Sequence, residues 1–236
     1  TTDKDGKAVL KNLPLGSYYI REVKAGDGSF LLNPEVKDVV LVYEGQEVPV
    51  VWAEDTPYIN ERQKVSIKLV KYSDKNLPVE GAVFGLFAEE DLYGYVISGE
   101  RVVTPYEEPM IPKDQLLETV VSDSDGQVLF EADLPCGYYY VEELCPASGY
   151  LQNPERYHFD ASYTGQDGEE VLVFRQEVRN IQTSVSVSKR DLTNGEELEG
   201  SELAVIEKET GKIVDAWISD KKLHEIRGLK LTGEQE

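Results

Sequence analysis

The sequence predicts an all-β fold made of tandem antiparallel β-sandwich modules, on three observations. Apolar and polar residues alternate with a period of two, which is typical of strands that bury one face. Tyrosine, with 14 residues, and β-branched residues dominate the apolar set, and both favour strands. The 236-residue chain also repeats itself with a period of about 120 residues, which is an ordinary domain size.

The repeat shows in short motifs that recur along the chain. Three motifs of the first part return in the middle part: Gly16-Ser-Tyr-Tyr-Ile-Arg-Glu22 as Gly137-Tyr-Tyr-Tyr-Val-Glu-Glu143, Leu32-Asn33-Pro34-Glu35 as Gln152-Asn153-Pro154-Glu155, and Asn60 as Asn180. The opening strand returns as well, because residues 65–71 resemble residues 185–189. We therefore expect the back part of a first module (1–62), a complete middle module (63–182) and the front part of a last module (183–236), the two outer modules being truncated.

Within the middle module, alternation and turn residues predict about seven strands. The clearest segments are residues 65–71, 116–122, 127–131, 138–144, 155–163 and 170–180. Asp125-Gly126 stands between two of them and predicts a hairpin turn. No segment has the convincing 3.6-residue periodicity of an amphipathic helix. The module is therefore expected to be an antiparallel β-sandwich.

The charge balance excludes two classes of partner. Lysine and arginine number 24 against 45 aspartates and glutamates, so the net charge is −21 and no basic face is available for nucleic acid. The same charge opposes binding to an anionic lipid surface, and no run of about 18 apolar residues is present to span a bilayer. We expect neither nucleic-acid binding nor membrane insertion, and an export signal would lie outside this sequence.

The sequence offers little for metal, redox or cofactor chemistry. It contains 2 histidines and 2 cysteines, and Cys136 and Cys145 bracket a strand that is too long for a disulfide. Asp123 and Asp125 resemble the start of a calcium loop, but no glutamate closes that loop and a turn is favoured. We expect free thiols, no metal and no cofactor.

Three polar residue types stand where the strand pattern buries the side chain. Lys71, Glu143 and Asn180 each end an apolar series of alternate residues in the middle module. The same types recur in the outer modules: Glu22 and Asn60 in the first, and Lys189 in the last. In a closed sandwich the first and last strands can be neighbours, so we expect Lys71 and Asn180 to meet.

Such a trio has the chemistry for a covalent cross-link. Burial lowers the pKa of a lysine, which makes its amine neutral and nucleophilic. A buried carboxylic acid that stays protonated can polarise an amide carbonyl and shuttle protons. An asparagine carboxamide held against the amine is then an acyl donor, with ammonia as the leaving group. The expected product is a Lys71–Asn180 isopeptide bond promoted by Glu143.

A purely structural interpretation is the alternative. Lys71 and Lys189 would extend to water from strand ends, and Glu143 would form an ordinary ion pair with Lys71. The repeat weighs against this interpretation, because glutamate and asparagine recur together and the lysine recurs as well. We therefore favour the cross-link for the middle module.

These residues also carry a family resemblance. The segment Tyr139-Tyr-Val-Glu-Glu143-Leu-Cys-Pro146-Ala-Ser-Gly149-Tyr150 resembles the E-box of the Cna B-type (SpaA-like) domains of Gram-positive surface adhesins and pilins. The resemblance implies a prealbumin-like, or inverse immunoglobulin-like, β-sandwich with a self-formed Lys–Asn bond and a neighbouring catalytic glutamate. Carried over by position, it assigns the bond to Lys71 and Asn180 and the catalytic role to Glu143. The outer modules keep only part of each set: Glu22 and Asn60 in the first, and Lys189 in the last.

The function expected from these features is that of a structural stalk or pilin-like segment. It would lie outside the cell, attached to the cell wall of a Gram-positive bacterium, with neighbouring modules as its partners. The self-cross-linking is a single-turnover event, so the protein is not expected to be an enzyme. The rival hypothesis is an adhesin module that binds a host extracellular-matrix or cell-surface ligand through the irregular loop 89–111.

Overall fold

The computed structural model describes residues 2–3, 6–26, 29–46, 57–93, 95–97, 103–105 and 108–230. All regular elements within these ranges are β-strands, which confirms the predicted all-β class. The described residues form no helix that is long and apolar enough to cross a membrane.

The strands follow the predicted period-two segments closely. In chain order they are β1 (Gly16–Arg21), β2 (Val36–Leu41), β3 (Lys64–Ser73), β4 (Val83–Ala88), β5 (Tyr95–Ile97), β6 (Val103–Pro105), β7 (Leu116–Val121), β8 (Gln127–Leu129), β9 (Gly137–Cys145), β10 (Arg156–Ala161), β11 (Val171–Asn180), β12 (Ser184–Val187), β13 (Glu202–Ile206), β14 (Ile213–Ile218) and β15 (His224–Arg227). In the outer modules β1 pairs with β2, β12 with β15, and β13 with β14.

The middle module is a sandwich of two sheets. One sheet has the order β10–β9–β4–β7 and the other β11–β3–β8, while β5 and β6 form a separate hairpin. Side chains from both sheets fill the space between them. The largest fully buried apolar side chains of this core are those of Ile67, Leu69, Phe84, Leu86, Val128, Tyr139, Val141 and Val178. Removing this apolar surface from water is the main force that holds the two sheets together.

The first and last strands of the middle module are direct neighbours, as expected. β3 and β11 pair in parallel along their whole length, and Lys71 lies opposite Val178 in the register. The other strand pairs of this sandwich are antiparallel in the described residues, so β3 and β11 are the exception. Asn180 stands two residues beyond Val178 and therefore points to the same face.

The predicted hairpin at Asp125-Gly126 is wrong, although the turn itself is present. Gly126 adopts a left-handed φ of 73°, and its N–H donates to the carbonyl oxygen of Asp123 at 2.9 Å. The strands on either side belong to different sheets, because β7 pairs with β4 and β8 pairs with β3. The turn is thus a corner between the sheets, and buried Val128 on β8 completes the core from the second sheet.

The module boundaries after residues 62 and 182 stay a prediction. Both positions lie between strands, since β3 begins at Lys64 and β12 begins at Ser184.

Candidate functional site

Lys71 lies on the inward face of β3 because that strand alternates without interruption. Ile67 and Leu69 precede it on the same face, and both are fully buried. Lys71 itself is 0% exposed, and its Nζ lies 5.4 Å from the centroid of the Phe84 ring. A lysine with no access to water requires polar partners inside the core.

Glu143 and Asn180 supply those partners from two directions. Asn180 ends β11, the strand beside β3, and is 2% exposed. Glu143 lies on β9 in the opposite sheet and is 3% exposed. The structure therefore brings together Lys71, Glu143 and Asn180, the three candidate residues of the middle module, in the closed space between the two sheets.

Each side chain of this trio is within hydrogen-bond distance of the other two. Oε1 of Glu143 lies 3.0 Å from Nζ of Lys71. Nδ2 of Asn180 donates to both carboxylate oxygens of Glu143 at 2.8 Å, and Nζ of Lys71 donates to Oδ1 of Asn180. Glu143 thus contacts the amine and the carboxamide nitrogen with the same oxygen atom.

Burial sets the protonation of the lysine. The pKa of Lys71 is lowered from its ordinary value, chiefly because the core removes water from the ammonium group. The charge of Glu143 and its hydrogen bond to the lysine oppose this shift but do not reverse it. The site therefore shifts Lys71 toward the neutral amine, which is the nucleophilic form.

The corner at Gly126 fixes the backbone of Lys71. The carbonyl oxygen of Gly126 accepts the Lys71 N–H at 2.7 Å. A Cβ at position 126 would lie 2.3 Å from the carbonyl oxygen of Lys71, so only glycine permits this approach. The sequence predicts a turn at Gly126 but does not place this residue in the site. The Asp125-Gly126 pair is the one sequence feature that points to its special backbone conformation.

The first module contains the same glutamate–asparagine pair. Nδ2 of Asn60 donates to Oε2 of Glu22 at 2.6 Å and to the carbonyl oxygen of Leu31 at 2.9 Å. Among the described residues, no lysine forms a hydrogen bond or ion pair with Glu22 or Asn60. The structure brings these two residues of the first module together.

Lys189 of the last module is not in such a site. It follows β12 and is exposed, and its described contacts are made by backbone atoms. Its N–H donates to Oε2 of Glu197 at 3.2 Å, and its carbonyl oxygen accepts the N–H of Leu198 at 2.6 Å. The prediction that Lys189 belongs to a cross-link therefore has no assembled partners in the described residues.

The loop 89–111 lies partly outside the described residues. Positions 94, 98–102 and 106–107 are among the undescribed ones, and the backbone between them forms β5 and β6. Leu92 and Ile111 close the base of this hairpin through two backbone hydrogen bonds of 2.8 and 3.1 Å. The hypothesis of a host ligand at this loop stays a prediction.

The described part of the chain has no group of three or more His, Cys, Asp or Glu side chains arranged to hold a metal ion. Each histidine instead contacts one carboxylate. Nδ1 of His158 is 2.9 Å from Glu89 Oε1, and Nε2 of His224 is 2.8 Å from Asp215 Oδ2. Cys136 and Cys145 are free thiols.

Three solved structures of bacterial proteins align with this chain. The Bacillus anthracis TIE protein aligns with a TM-score of 0.55 at 20% identity, over 96% of this chain and 36% of that protein. A streptococcal ancillary pilin aligns with a TM-score of 0.37 at 18% identity, over 92% and 64% of the two chains. A C-terminal fragment of the pilus adhesin SpaC from Lactobacillus rhamnosus GG gives 0.41 at 16% identity, over 73% and 79%.

The chain thus spans about a third of the Bacillus anthracis protein and about two thirds of the streptococcal pilin. No curated protein matches the sequence. The model of the SpaA family, described as a prealbumin-like fold domain, matches residues 1–56 and 65–173, which is more than half of the chain. This chain therefore belongs to the SpaA prealbumin-like fold family.

Proposed function

We propose that this chain is a stalk segment of a bacterial surface protein, in which Lys71 and Asn180 form an isopeptide bond promoted by Glu143. The observation that supports this proposal is the buried trio itself. A nucleophile, an acyl donor and a carboxyl group lie within hydrogen-bond distance in a core that excludes water. The stalk role, the surface location and the bond are supported by family membership and by this geometry.

The reaction exchanges one amide for another. The lone pair of the neutral Lys71 Nζ attacks Cγ of Asn180 and forms the new Cγ–Nζ bond. The Cγ–Nδ2 bond then breaks, and the nitrogen leaves as ammonia. One proton must move from Nζ to Nδ2, so no oxidant, reductant or further reactant is needed.

Glu143 is placed to move that proton. Its Oε1 lies 3.0 Å from Nζ of Lys71 and 2.8 Å from Nδ2 of Asn180. Transfer of a proton from the ammonium to Oε1 gives a neutral amine and a neutral acid, which an apolar core accepts more readily than two ions. The same oxygen can then pass this proton to the departing nitrogen, and Glu143 takes in its place the proton that Nζ loses once the Cγ–Nζ bond has formed.

Enclosure of the two reacting groups in the core further increases the reaction rate. An unactivated amide is a poor acyl donor, and its reaction with an amine in water is slow. A pair held in contact within a folded core reacts as an intramolecular pair, for which effective molarities of about 10⁵ M or more are known. The reaction occurs once per molecule, so the chain acts on itself and is not an enzyme.

The position of the bond suits a stalk. The chain enters the middle module at β3 and leaves it after β11, and the bond would join residues 109 positions apart on these two strands. A pull on both ends would pass along β3 to Lys71, cross the bond and leave through Asn180. The strands between these two residues would carry none of the load. Neighbouring modules of the same protein are the partners that such a segment requires.

Intact mass measurement tests the proposal. The parent chain is expected to be lighter than its sequence mass by one ammonia, because one trio is complete among the described residues. Glu143→Gln is expected to keep the full sequence mass, since glutamine cannot accept and return the proton. Glu142→Gln, on the neighbouring outward-facing residue, is the control and should lose ammonia as the parent does. A parent chain at full sequence mass after folding would contradict the proposal.

A further inference from the structure

The Asn-Pro-Glu segment at 153–155 contacts one member of the trio and the residue that precedes another. The backbone N–H of Asn153 donates to Oε2 of Glu143 at 2.7 Å. Its side-chain Nδ2 donates to the carbonyl oxygen of Arg179 at 3.2 Å. Arg179 directly precedes Asn180, so Asn153 links the carboxyl group to the strand that carries the acyl donor.

A local turn aims the Asn153 N–H at the carboxylate. Oδ1 of Asn153 accepts the N–H of Glu155 at 2.9 Å, which closes an Asx turn around Pro154. Nδ2 also donates to the hydroxyl oxygen of Tyr157 at 2.9 Å. The side chain of Asn153 therefore holds this loop together and against β10 and β11, while its backbone N–H holds the loop against β9.

The first module repeats three of these four hydrogen bonds. The N–H of Asn33 donates to Oε2 of Glu22 at 2.7 Å, and its Nδ2 donates to the carbonyl oxygen of Ile59 at 2.8 Å. Its Oδ1 accepts the N–H of Glu35 at 2.8 Å. Ile59 directly precedes Asn60, as Arg179 precedes Asn180. The glutamate–asparagine pair is thus held in the same way where no described lysine accompanies it.

We infer that Asn153 is a positioning residue for the isopeptide reaction. It sets the distance between Glu143 and Asn180 before the lysine reacts, and Asn33 does the same for Glu22 and Asn60. Asn153 does not touch the reacting atoms and acts only through Glu143 and the backbone of Arg179. This inference rests on the proposed function.

The rate of ammonia loss tests the inference. Chain recovered from inclusion bodies, and shown to be unreacted by its full sequence mass, is refolded and its mass is followed with time. Asn153→Ala keeps the backbone N–H but removes all three side-chain hydrogen bonds, and it is expected to slow the reaction by about tenfold or more. Asn33→Ala makes the same change in the first module and should leave the rate unchanged. Equal rates for Asn153→Ala and the parent would overturn the inference. A parent that loses no ammonia would overturn the proposed function instead.

A spectroscopic measurement separates positioning from a loss of stability. In the Lys71→Ala background, where no bond can form, the side-chain NH₂ signals of Asn180 and Asn60 report their hydrogen bonds to Glu143 and Glu22. Asn153→Ala is expected to shift the Asn180 signals and to leave those of Asn60, whereas Asn33→Ala does the reverse. Signals of Asn180 that stay in place in a folded Asn153→Ala variant would contradict the inference.

Asn153→Ser provides a second variant if Asn153→Ala does not fold. The serine hydroxyl can still accept the Glu155 N–H and support the turn, but it is too short to reach the carbonyl oxygen of Arg179. It is expected to fold and to lose ammonia more slowly than the parent. A refolded Asn153→Ser chain that reacts at the parent's rate would overturn the inference.

Discussion

Lys71 is held in an apolar core by oxygen atoms of Glu143 and Asn180. A buried ion pair of this kind contributes little net stability, because both groups lose their hydration. Conversion of the amine into an amide removes the ammonium altogether and leaves a group that the core accepts with one hydrogen bond. The same burial that makes the lysine unfavourable as an ion thus makes it reactive.

Removal of the lysine tests the contribution of the bond to stability. Lys71→Ala is expected to keep the full sequence mass and to lower the free energy of unfolding of the middle module by about 4–5 kcal/mol, by analogy with a disulfide that closes a loop of similar length. Calorimetry measures the change. Lys68→Ala is the control, because Lys68 lies on the outward face of the same strand. It should change the free energy of unfolding by only about 0.5 kcal/mol. A Lys71→Ala chain that melts where the parent does would show that the bond is not structural.

The lowered pKa of Lys71 predicts a pH dependence for the stability of the unreacted fold. Glu143→Gln keeps the buried amine unreacted, and its lysine loses the partner that opposes the lowered pKa. Between the lowered pKa and the ordinary lysine pKa of 10.5 the unfolded chain binds more protons than the folded one, so the free energy of unfolding of this variant should rise with pH, relative to that of Lys71→Ala, which lacks the amine. Chemical denaturation at each pH measures both free energies. A difference that falls as pH rises through this window would contradict the account.

The reacting residues could be predicted from the sequence because two signals coincide. Alternation along β3 showed that Lys71 is buried, and the internal repeat showed that Glu143 and Asn180 have counterparts in Glu22 and Asn60. The role of Asn153 could not be predicted in the same way. Its motif recurs visibly, but the contact with Glu143 depends on how the loop after β9 folds back, which no periodicity describes.

At the scale of elements, the pairing of β3 with β11 and the corner at Gly126 together place the lysine. β3 is central in its sheet, with β11 on one side and β8 on the other. The corner brings the start of β8 against Lys71, whose N–H donates to the Gly126 carbonyl oxygen. An error in this corner would move the amine relative to Asn180, even with all three reacting residues intact.

Gly126→Ala tests the role of the corner. The new Cβ would meet the carbonyl oxygen of Lys71 and the left-handed φ would be strained, so we expect a loss of about 1–3 kcal/mol and slower bond formation. Gly81→Ala is the matched control, because Gly81 also has a left-handed φ, of 88°, but has nothing within 4 Å of the added atom. Chemical denaturation and refolding rates compare the two variants. Equal rates of ammonia loss in both would show that the contact with Lys71 is unimportant.

The strands themselves were largely predictable, whereas their sheet membership was not. Period-two alternation located β3, β7, β9 and β11 to within one or two residues. The Asp-Gly pair correctly predicted a reversal of the chain, but a local signal cannot tell a hairpin from a corner. Which sheet receives β8 is decided by the long-range pairing of Val128 opposite Leu69.

At the scale of the whole molecule, the segments that follow Asn60 and Asn180 are each hydrogen-bonded to the module that the chain is leaving. After Asn60, the N–H of Gln63 donates to the carbonyl oxygen of Ser29 at 2.7 Å. After Asn180, the N–H of Thr183 donates to the carbonyl oxygen of Gly149 at 2.9 Å. The two junctions are therefore built alike, and each begins immediately after the residue that would carry the bond.

Single-molecule stretching tests the load path. Residues between Lys71 and Asn180 should not extend in the parent chain, because the bond bypasses them. In Lys71→Ala the segment between residues 71 and 180, which are 109 positions apart, can be stretched. This adds about 380 Å to the extended length of the chain, at about 3.5 Å per residue. Lys68→Ala should behave as the parent does. Equal extension of the parent and Lys71→Ala would contradict the proposed stalk mechanism.

Peptide mapping tests the central claim most directly. Trypsin cannot cleave after a lysine whose amine is acylated, so residues 69–75 should remain in one piece. They should appear joined to residues 180–189, with a mass equal to the sum of the two peptides less one ammonia, and fragmentation should place the branch at Lys71 and Asn180. Recovery of residues 69–71 and of residues 180–189 as separate peptides, in full yield from folded protein, would contradict the account.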